Sequence, residues 1–254
     1  MKIFITHMHG DHCIGLLGLI QTMSMLNRRL PLNIYGPSKL DEFIHFNLRL
    51  LNLDIPFPLY IKKVKEGIIV EEKDYKVEAI SSEHSIESYS YLLKEKDRPG
   101  KFYPEKAKAL GVPEGFLWSL LQKGISVKIN NNIIKPEQVL GEARKGRTIG
   151  ISGDTRPNER LVNFFKDCDV LIFDSTYSSE YQEKAIVNKH STAREAAELA
   201  LKANVKLLIL THFSARYDDT KVLLEEAKSI HPNVMVAKDF MILEVPYEEK
   251  SLVS

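Results

Sequence analysis

Cysteine and long apolar runs are both scarce in this chain. Among 254 residues the only cysteines are Cys13 and Cys168. Two isolated cysteines provide no disulfide framework, so a small disulfide-stapled scaffold is excluded and a reducing compartment is indicated. No apolar stretch approaches the roughly eighteen residues needed to span a bilayer, and the N-terminus lacks the basic-then-apolar order of a signal peptide. We therefore expect a cytoplasmic protein without a membrane partner.

The sequence also lacks the features of disordered and fibrous chains. Hydrophobic residues make up 44% of it and charged residues 27%, so the chain contains enough apolar surface for a substantial core. A chain of this length can form a single α/β or all-β domain. The sequence therefore predicts one domain over residues 1–254.

Net charge is nearly absent overall, at +1, but it is unevenly distributed. The segment 94–147 holds twelve Lys or Arg against six Asp or Glu, a local charge of +6. Glycine and proline break residues 99–146 into short helical pieces, which we expect to bury little on their own and to form a protruding basic arm at about 100–145. The arm interleaves lysines, among them Lys101, Lys106, Lys108 and Lys123, with the aromatic residues Phe102, Tyr103, Phe116 and Trp118.

Two interpretations of the basic arm are open. The lysines could meet the phosphates of a nucleic acid while the aromatic rings stack on bases. Alternatively, the segment is a solvated surface excursion whose aromatic residues hold a small subdomain together. Composition alone favours neither interpretation.

A cluster of potential metal ligands follows the first apolar run of the chain. Residues 2–5 read as a strand, and the next seven residues are Thr-His-Met-His-Gly-Asp-His. His7 and His9 alternate, so an extended backbone directs both to one face, while Gly10 permits a turn that brings Asp11 and His12 to a neighbouring point. Imidazole and carboxylate ligands suit borderline divalent metals. The crowding predicts two adjacent metal sites.

The remaining pattern predicts alternating helices and strands. Helices are expected over 15–29, 40–51, 193–203 and 223–230, and an antiparallel meander over 60–64, 68–71 and 75–80. Apolar strands are also expected at 32–36, 148–151, 169–173 and 206–211, and a capping box of Thr192 and Glu195 starts the helix after His190.

Further His and Asp residues stand where these strands end, namely His84, Asp154, Asp174 and His212. Two packed sheets that bring their strand ends to one edge, with helices on both outer faces, would collect them in a single cleft. The sequence therefore predicts a four-layer αββα sandwich.

Several motifs together resemble a known family. They are His7-x-His9-x-Asp11-His12, Ser-Gly-Asp154-Thr-Arg-Pro, Asn188-Lys-His190-Ser-Thr, Thr211-His212-Phe-Ser-Ala-Arg216-Tyr and the arm that ends in Gly146-Arg147. These motifs cover nearly the whole chain and resemble the metallo-β-lactamase superfamily and, within it, the ribonuclease Z family of tRNA 3′ endonucleases. The resemblance implies a zinc enzyme that cuts precursor tRNA after the discriminator nucleotide and leaves a 3′ hydroxyl. It also implies a homodimer.

The resemblance assigns roles to individual residues. It implies one zinc held by His7, His9, His84 and a bridging Asp154, and a second held by Asp11, His12, Asp154 and His212. Mn²⁺ or Fe²⁺ would accept the same ligands. Asp11 would orient or deprotonate the attacking water, and His190, oriented by Asp174, would protonate the leaving oxygen or hold the scissile group. Arg216 would bind a backbone phosphate, although it also reads as an ordinary surface arginine.

The chain departs from the family pattern at three places. Phe173-Asp174 stands where the family has His-Glu, and Gly115-Phe116 stands where it has Gly-Pro. The metal motif begins only five residues after Met1, whereas the family has several strands before it, so we expect an N-terminal piece to be missing.

Two other functions compete with tRNA cleavage. A small-molecule hydrolase of the same superfamily would act on a phosphodiester, thioester or lactam, but it would need no reaching arm. A non-catalytic RNA-binding protein would need no complete set of metal ligands. His45 and His231 are interpreted as structural histidines under every hypothesis.

Overall fold

The computed structural model describes residues 1–247, and its regular elements are numbered here in chain order. The strands are β1 (Lys2–Phe4), β2 (Leu32–Gly36), β3 (Leu59–Lys63), β4 (Gly67–Glu71), β5 (Tyr75–Ser81), β6 (Tyr89–Glu95), β7 (Val127–Ile129), β8 (Asn132–Ile134), β9 (Thr148–Ile151), β10 (Val170–Asp174), β11 (Leu207–Thr211) and β12 (Val234–Val236). The helices are α1 (Gly10–Cys13), α2 (Gly15–Met25), α3 (Leu40–Leu50), α4 (Pro104–Ala109), α5 (Phe116–Gln122), α6 (Glu159–Phe164), α7 (Gln182–Asn188), α8 (Ala193–Lys202) and α9 (Lys221–Lys228). No helix within the described residues is long and apolar enough to cross a membrane.

The chain divides into two compact units. The first comprises residues 1–94 and 148–245, and the second comprises residues 95–147 together with the segment that starts at Pro246. All strands except β7 and β8 belong to the first unit, apart from the last residue of β6.

Two sheets form the centre of the first unit. The smaller sheet has the order β1-β2-β3 and is parallel throughout. The larger sheet has the order β12-β11-β10-β9-β6-β5-β4, in which β9 to β12 run parallel and β6 pairs antiparallel with β9.

Three apolar clusters separate four layers. Helices α2 and α3 pack their buried faces, including Ile20 and Ile44, against the smaller sheet. Phe4 and Tyr35 of the smaller sheet meet Tyr91 of the larger one, with the Phe4 ring centroid 5.0 Å from that of Tyr35 and 5.5 Å from that of Tyr91. Helices α6, α8 and α9 cover the other face of the larger sheet. The expected αββα sandwich is therefore confirmed.

The register of the parallel strands brings their carboxyl ends to one edge. Ile172 of β10 pairs with Ile151 of β9, and Asp174 pairs with Thr211 of β11. The residues just after these strands, among them His212, consequently emerge side by side. This edge carries the candidate site.

The meander prediction is wrong in its first strand. β4 and β5 pair antiparallel as expected, but β3 joins the smaller sheet, parallel to β2. The sequence reading identified neither β6 nor α7: β6 lies between β9 and β5 in the larger sheet, and α7 ends two residues before His190.

The second unit has its own apolar core, contrary to the expectation that the basic segment buries little. Ala107, Val112, Leu121, Val127 and Ile134 are all at most 5% exposed. β7 and β8 form a hairpin, and helices α4 and α5 are as short as the glycine and proline pattern predicts. The unit is therefore built around side chains to which the sequence reading assigned no role, and Phe102 and Trp118 pack against them.

Candidate metal centre

The first ligand loop leaves β1 and turns into helix α1. His7 is fully buried, and its Nδ1 lies 3.0 Å from the Thr6 hydroxyl, which leaves Nε2 facing the interior of the site. Helix α1 begins at Gly10 and places Asp11 and His12 in its first turn. The two halves of the motif thus point to neighbouring positions.

One group of potential ligands contains His7, His9, His84 and Asp154, whose donor atoms all lie within 4.8 Å of one another. Nδ1 of His9 is 3.2 Å from Nε2 of His84. The other nitrogen of His84 donates to the carbonyl oxygen of Lys189 at 3.0 Å, which fixes its tautomer and turns Nε2 toward the group.

A second group contains Asp11, His12 and His212. Nε2 of His12 lies 3.2 Å from the Asp11 carboxylate and 3.4 Å from Nε2 of His212. Both imidazoles lie 3.3 Å from Oδ2 of Asp154, and the same oxygen is 3.4 Å from Nε2 of His7. A single oxygen of Asp154 therefore faces both groups.

Backbone conformation sets the position of two of these ligands. Gly153, with φ +59°, brings the loop so close to β1 that a Cβ would lie 2.8 Å from Cβ of Thr6, so only glycine fits there. His212 itself adopts a left-handed conformation with φ +61°, which is rare for a residue with a side chain.

Burial and mutual contacts shift the pKa values of the cluster. Burial lowers the pKa of His7 to about 3, and burial also lowers the pKa of His84. The hydrogen bond to Asp154 raises the pKa of His12. Burial opposes ionisation of Asp154, but the His12 hydrogen bond and the neighbouring imidazoles lower its pKa to about 2. His7 and His84 are neutral near pH 7 and Asp154 is charged, as metal ligation requires.

The arrangement fits divalent metal ions. Nε2 of His7 is buried and finds no hydrogen-bond partner among residues 1–247, which is costly unless another species occupies the space it faces. Ligand separations of 3.2–3.4 Å are compatible with ligands that share one ion at zinc bond lengths of about 2.0–2.2 Å. The histidine and carboxylate donor set suits zinc, manganese or iron.

Asp174 and His190 form a pair beside the two ligand groups. Nδ1 of His190 donates to Oδ2 of Asp174 at 2.9 Å, so Nε2 is the nitrogen left to act. Burial disfavours the charged imidazole, but the Asp174 carboxylate outweighs burial and raises the pKa of His190. The expected partnership of these two residues is present in the structure.

Asp174 and His190 also belong to a set of four potential ligands with Asp154 and His212. Asp174 is fully buried and already accepts hydrogen bonds from backbone or hydroxyl groups of Thr155 and Thr176. Because most lone pairs of the Asp174 carboxylate already accept hydrogen bonds, Asp174 is better suited to orienting His190 than to binding a metal ion.

Thr176 is a residue of the site that the sequence reading missed. Its hydroxyl donates to Oδ1 of Asp174 at 2.7 Å and therefore accepts from Nδ1 of His212 at 2.8 Å. It thus fixes the tautomer of His212 and directs Nε2 toward Asp154. Its position two residues after Asp174 was the one available signal in the sequence.

The predicted substrate-binding residues lie at the surface. The Arg216 guanidinium rests over the rings of Tyr177 and Tyr181, at 4.9 and 4.2 Å from their centroids. In the second unit, Lys106 and Lys108 lie over aromatic rings at 4.6 and 5.7 Å, and all four predicted lysines of that unit are exposed: Lys101, Lys106, Lys108 and Lys123.

The two histidines interpreted as structural lie in different surroundings. Nε2 of His231 donates to the carbonyl oxygen of Val205 at 2.8 Å, in the interior. His45 is exposed, with Nε2 3.4 Å from Asp41. Neither belongs to the ligand groups found among residues 1–247.

Comparison with solved structures identifies the fold. The short form of human tRNase Z superposes with a TM-score of 0.67 at 26% identity, over 96% of this chain and 79% of that one. The metallo-β-lactamase fold protein YhfI from Bacillus subtilis gives a TM-score of 0.61 at 15% identity, over 93% and 74%. The four layers and the histidine–aspartate edge are those of a metallo-β-lactamase fold.

Sequence comparison is more specific, although no family model matches the chain. Ribonuclease Z of Nitrosopumilus maritimus is 53% identical over 96% of this chain and 82% of its own length. Ribonuclease Z of Methanosarcina acetivorans is 46% identical over 97% and 81%, and that of Bacillus subtilis 38% over 96% and 81%. The chain belongs to the ribonuclease Z family.

Proposed function

We propose that this protein is a zinc-dependent endoribonuclease that removes the 3′ trailer of precursor tRNA. It cuts after the discriminator nucleotide and leaves a 3′ hydroxyl. The observation that carries the proposal is the convergence of two ligand groups on one oxygen of Asp154, beside the pair of His190 and Asp174. Membership of the ribonuclease Z family supplies the substrate class.

Two zinc ions are assigned to the two ligand groups. His7, His9, His84 and Asp154 would hold one, and Asp11, His12, Asp154 and His212 the other. Zinc in such a site supplies Lewis-acid chemistry, which lowers the pKa of an attacking water and offsets the charge of the phosphodiester.

The chain's own groups position the reactants and move the protons. The Asp11 carboxylate is 68% exposed and faces the cleft, so it is accessible to a water molecule that it orients or deprotonates. His190 holds its proton on Nδ1 against Asp174 and uses Nε2 to protonate the leaving O3′ of the discriminator nucleotide. Asp174 keeps this tautomer and stabilises the charged imidazole.

The basic segment is assigned the task of binding tRNA. Residues at about 100–145, which belong to the second compact unit, form an inserted exosite whose exposed lysines meet tRNA phosphates. Arg216, fixed over two tyrosine rings, binds a phosphate of the acceptor end. We assign the active form as a cytoplasmic homodimer in which the exosite of one subunit serves the active site of the other.

Incubation with a 3′-extended tRNA precursor tests the proposal. Product should end at the discriminator nucleotide with a 3′ hydroxyl, should vanish after chelation and should return on addition of zinc. Sedimentation during turnover reports the oligomeric state. A protein that leaves the precursor intact but hydrolyses a small phosphodiester, thioester or lactam would instead be a small-molecule metallo-hydrolase.

A further inference from the structure

A partly buried arginine connects three loops of the candidate site. Arg156 follows Asp154 by two residues in the loop after β9, and its side chain is 14% exposed. Its backbone N–H donates to the carbonyl oxygen of Glu83 at 3.0 Å, immediately before the ligand His84. The loop that carries Asp154 is thereby tied to the loop that carries His84.

The side chain of Arg156 reaches the loop that carries His190. Its Nη1 donates to the carbonyl oxygen of His190 at 2.6 Å and to Oε2 of Glu195 at 2.7 Å. Nη2 donates to the other oxygen of Glu195, so the two side chains form a two-pronged ion pair. A guanidinium provides this fork in a fixed plane, which an ammonium group cannot reproduce.

Glu195 is itself fixed from several sides. It accepts from the backbone N–H of Thr192 at 2.9 Å, as the N3 residue of the capping box of α8, and from the amide of Gln182 in α7 at 2.6 Å. His190 lies between these two helices. Arg156 and Glu195 together therefore hold the backbone of His190 relative to both helices, while Asp174 holds its ring.

We propose that Arg156 is a positioning residue for proton transfer, acting through the carbonyl oxygen of His190. This inference rests on the proposed function, since it assumes that His190 protonates the leaving oxygen. Arg156 determines the position of Nε2 of His190 relative to Asp154, and Glu195 holds the guanidinium group of Arg156 in its orientation. A displacement of about 1 Å in such a group costs up to about 10²-fold in rate.

The variant Arg156→Lys is the main test, because it keeps the positive charge but removes the fork. We expect kcat for precursor tRNA to fall by about tenfold or more, with KM and zinc content unchanged. Arg160→Lys is the matched control, because Arg160 makes a similar two-pronged pair with Glu66 but is 61% exposed on α6. It should leave kcat unchanged.

A second substrate separates positioning from general damage. Bis(p-nitrophenyl) phosphate releases nitrophenolate, which leaves without needing a proton, so loss of a positioned proton donor should matter little. Arg156→Lys should hydrolyse it at the wild-type rate. An equal fall on both substrates would overturn the proposal and make Arg156 a purely structural residue.

A double-mutant cycle provides the third readout. In a His190→Ala background, Arg156→Lys should change the single-turnover rate on precursor tRNA by less than twofold, because the group it positions is absent. Multiplicative effects of the two substitutions would overturn the proposal. If the wild-type protein does not cleave precursor tRNA at all, the proposed function fails. The rate on bis(p-nitrophenyl) phosphate then still shows whether the Arg156→Lys substitution damages the site.

Discussion

Replacement of Asp174 by asparagine is the most informative single change, because the amide keeps the shape of the carboxylate but not its charge. Oδ2 of Asp174 accepts from the backbone N–H of Thr155 and from Nδ1 of His190, at 3.1 and 2.9 Å, with Ser191 N–H at 3.4 Å. Oδ1 accepts from the N–H and hydroxyl of Thr176, at 3.0 and 2.7 Å.

The asparagine amide can be placed in two ways, and both are unfavourable. If its NH₂ takes the Oδ2 position, it faces the N–H groups of Thr155 and Ser191 and forces His190 into the wrong tautomer. If it takes the Oδ1 position, it faces the N–H of Thr176, while His190 loses the negative charge that raises its pKa. Each buried donor left without an acceptor costs about 1–3 kcal/mol, so we expect at least that loss in the free energy of unfolding.

In Asp174→Asn, the rate of precursor tRNA cleavage should fall by more than the loss of folded protein alone would cause. A positioned proton donor contributes about 10²–10⁴-fold, so single-turnover cleavage of precursor tRNA should drop by about 10²-fold or more. Zinc content should not change. Retention of the wild-type rate would refute the assigned role of Asp174, and loss of zinc would move Asp174 into the ligand set.

Asp169→Asn is the matched control, at the opposite end of β10. Asp169 accepts from the N–H and hydroxyl of Thr148, at 2.7 and 3.0 Å, and from Nζ of Lys206 at 2.6 Å. The same isosteric change therefore removes hydrogen bonds and an ion pair of the same kind, partly buried and away from the ligand groups. It should lower stability in urea denaturation but leave the rate of cleavage intact.

Three further outcomes are expected. Asp154→Ala should reduce bound zinc to one ion or none per chain and abolish cleavage, and two retained ions with normal turnover would contradict the bridging assignment. Deletion of Lys101–Gly141 should remove most tRNA affinity and its steep salt dependence but spare hydrolysis of a small phosphodiester; surviving tRNA cleavage would exclude the exosite. The Arg147 ion pair lowers the pKa of Glu95 from 4.5 to about 2. Stability from this pair should thus be complete above pH 4.5 and lost as the pH falls toward 2, a dependence that Glu95→Gln should abolish in acid titration.

Two local rules were sufficient to predict that these His and Asp residues lie at one edge of the sheet. Apolar strands could be recognised from their residues, and the carboxyl ends of parallel strands meet at one edge. Asp154, Asp174 and His212 follow from these rules without any knowledge of helix packing. The register between β9, β10 and β11 then brings them together, as expected.

Other parts of the fold could not be predicted in this way. The alternation of apolar and polar residues identifies β3 as a strand but does not show which strand it pairs with. The same alternation is compatible with an antiparallel meander and with the parallel pairing to β2 that the structure shows. The core of the second unit is built from small and scattered residues, such as Ala107 and Val139, whose spacing has no clear period. Only the tertiary structure identifies them as buried.

The contacts of the site that the sequence did not predict were missed for a different reason. The carbonyl oxygen of Lys189 holds His84, and that of His190 receives Arg156. Every residue has a carbonyl oxygen, so residue type carries no information about such contacts. Thr176 is a similar case, because a threonine after a strand has many ordinary uses.

The candidate site combines three energetic costs within a small region. Nε2 of His7 is buried with no hydrogen-bond partner in the described part of the chain, Asp154 is a buried charge, and His212 has a left-handed backbone worth about 1–3 kcal/mol of strain. All three lie at the strand ends where the two ligand groups meet. Metal ions that bind only the folded state would offset these costs by mass action, so the ions needed for chemistry also stabilise this edge. The helices on the outer faces pack instead through apolar clusters whose members are not the predicted metal ligands.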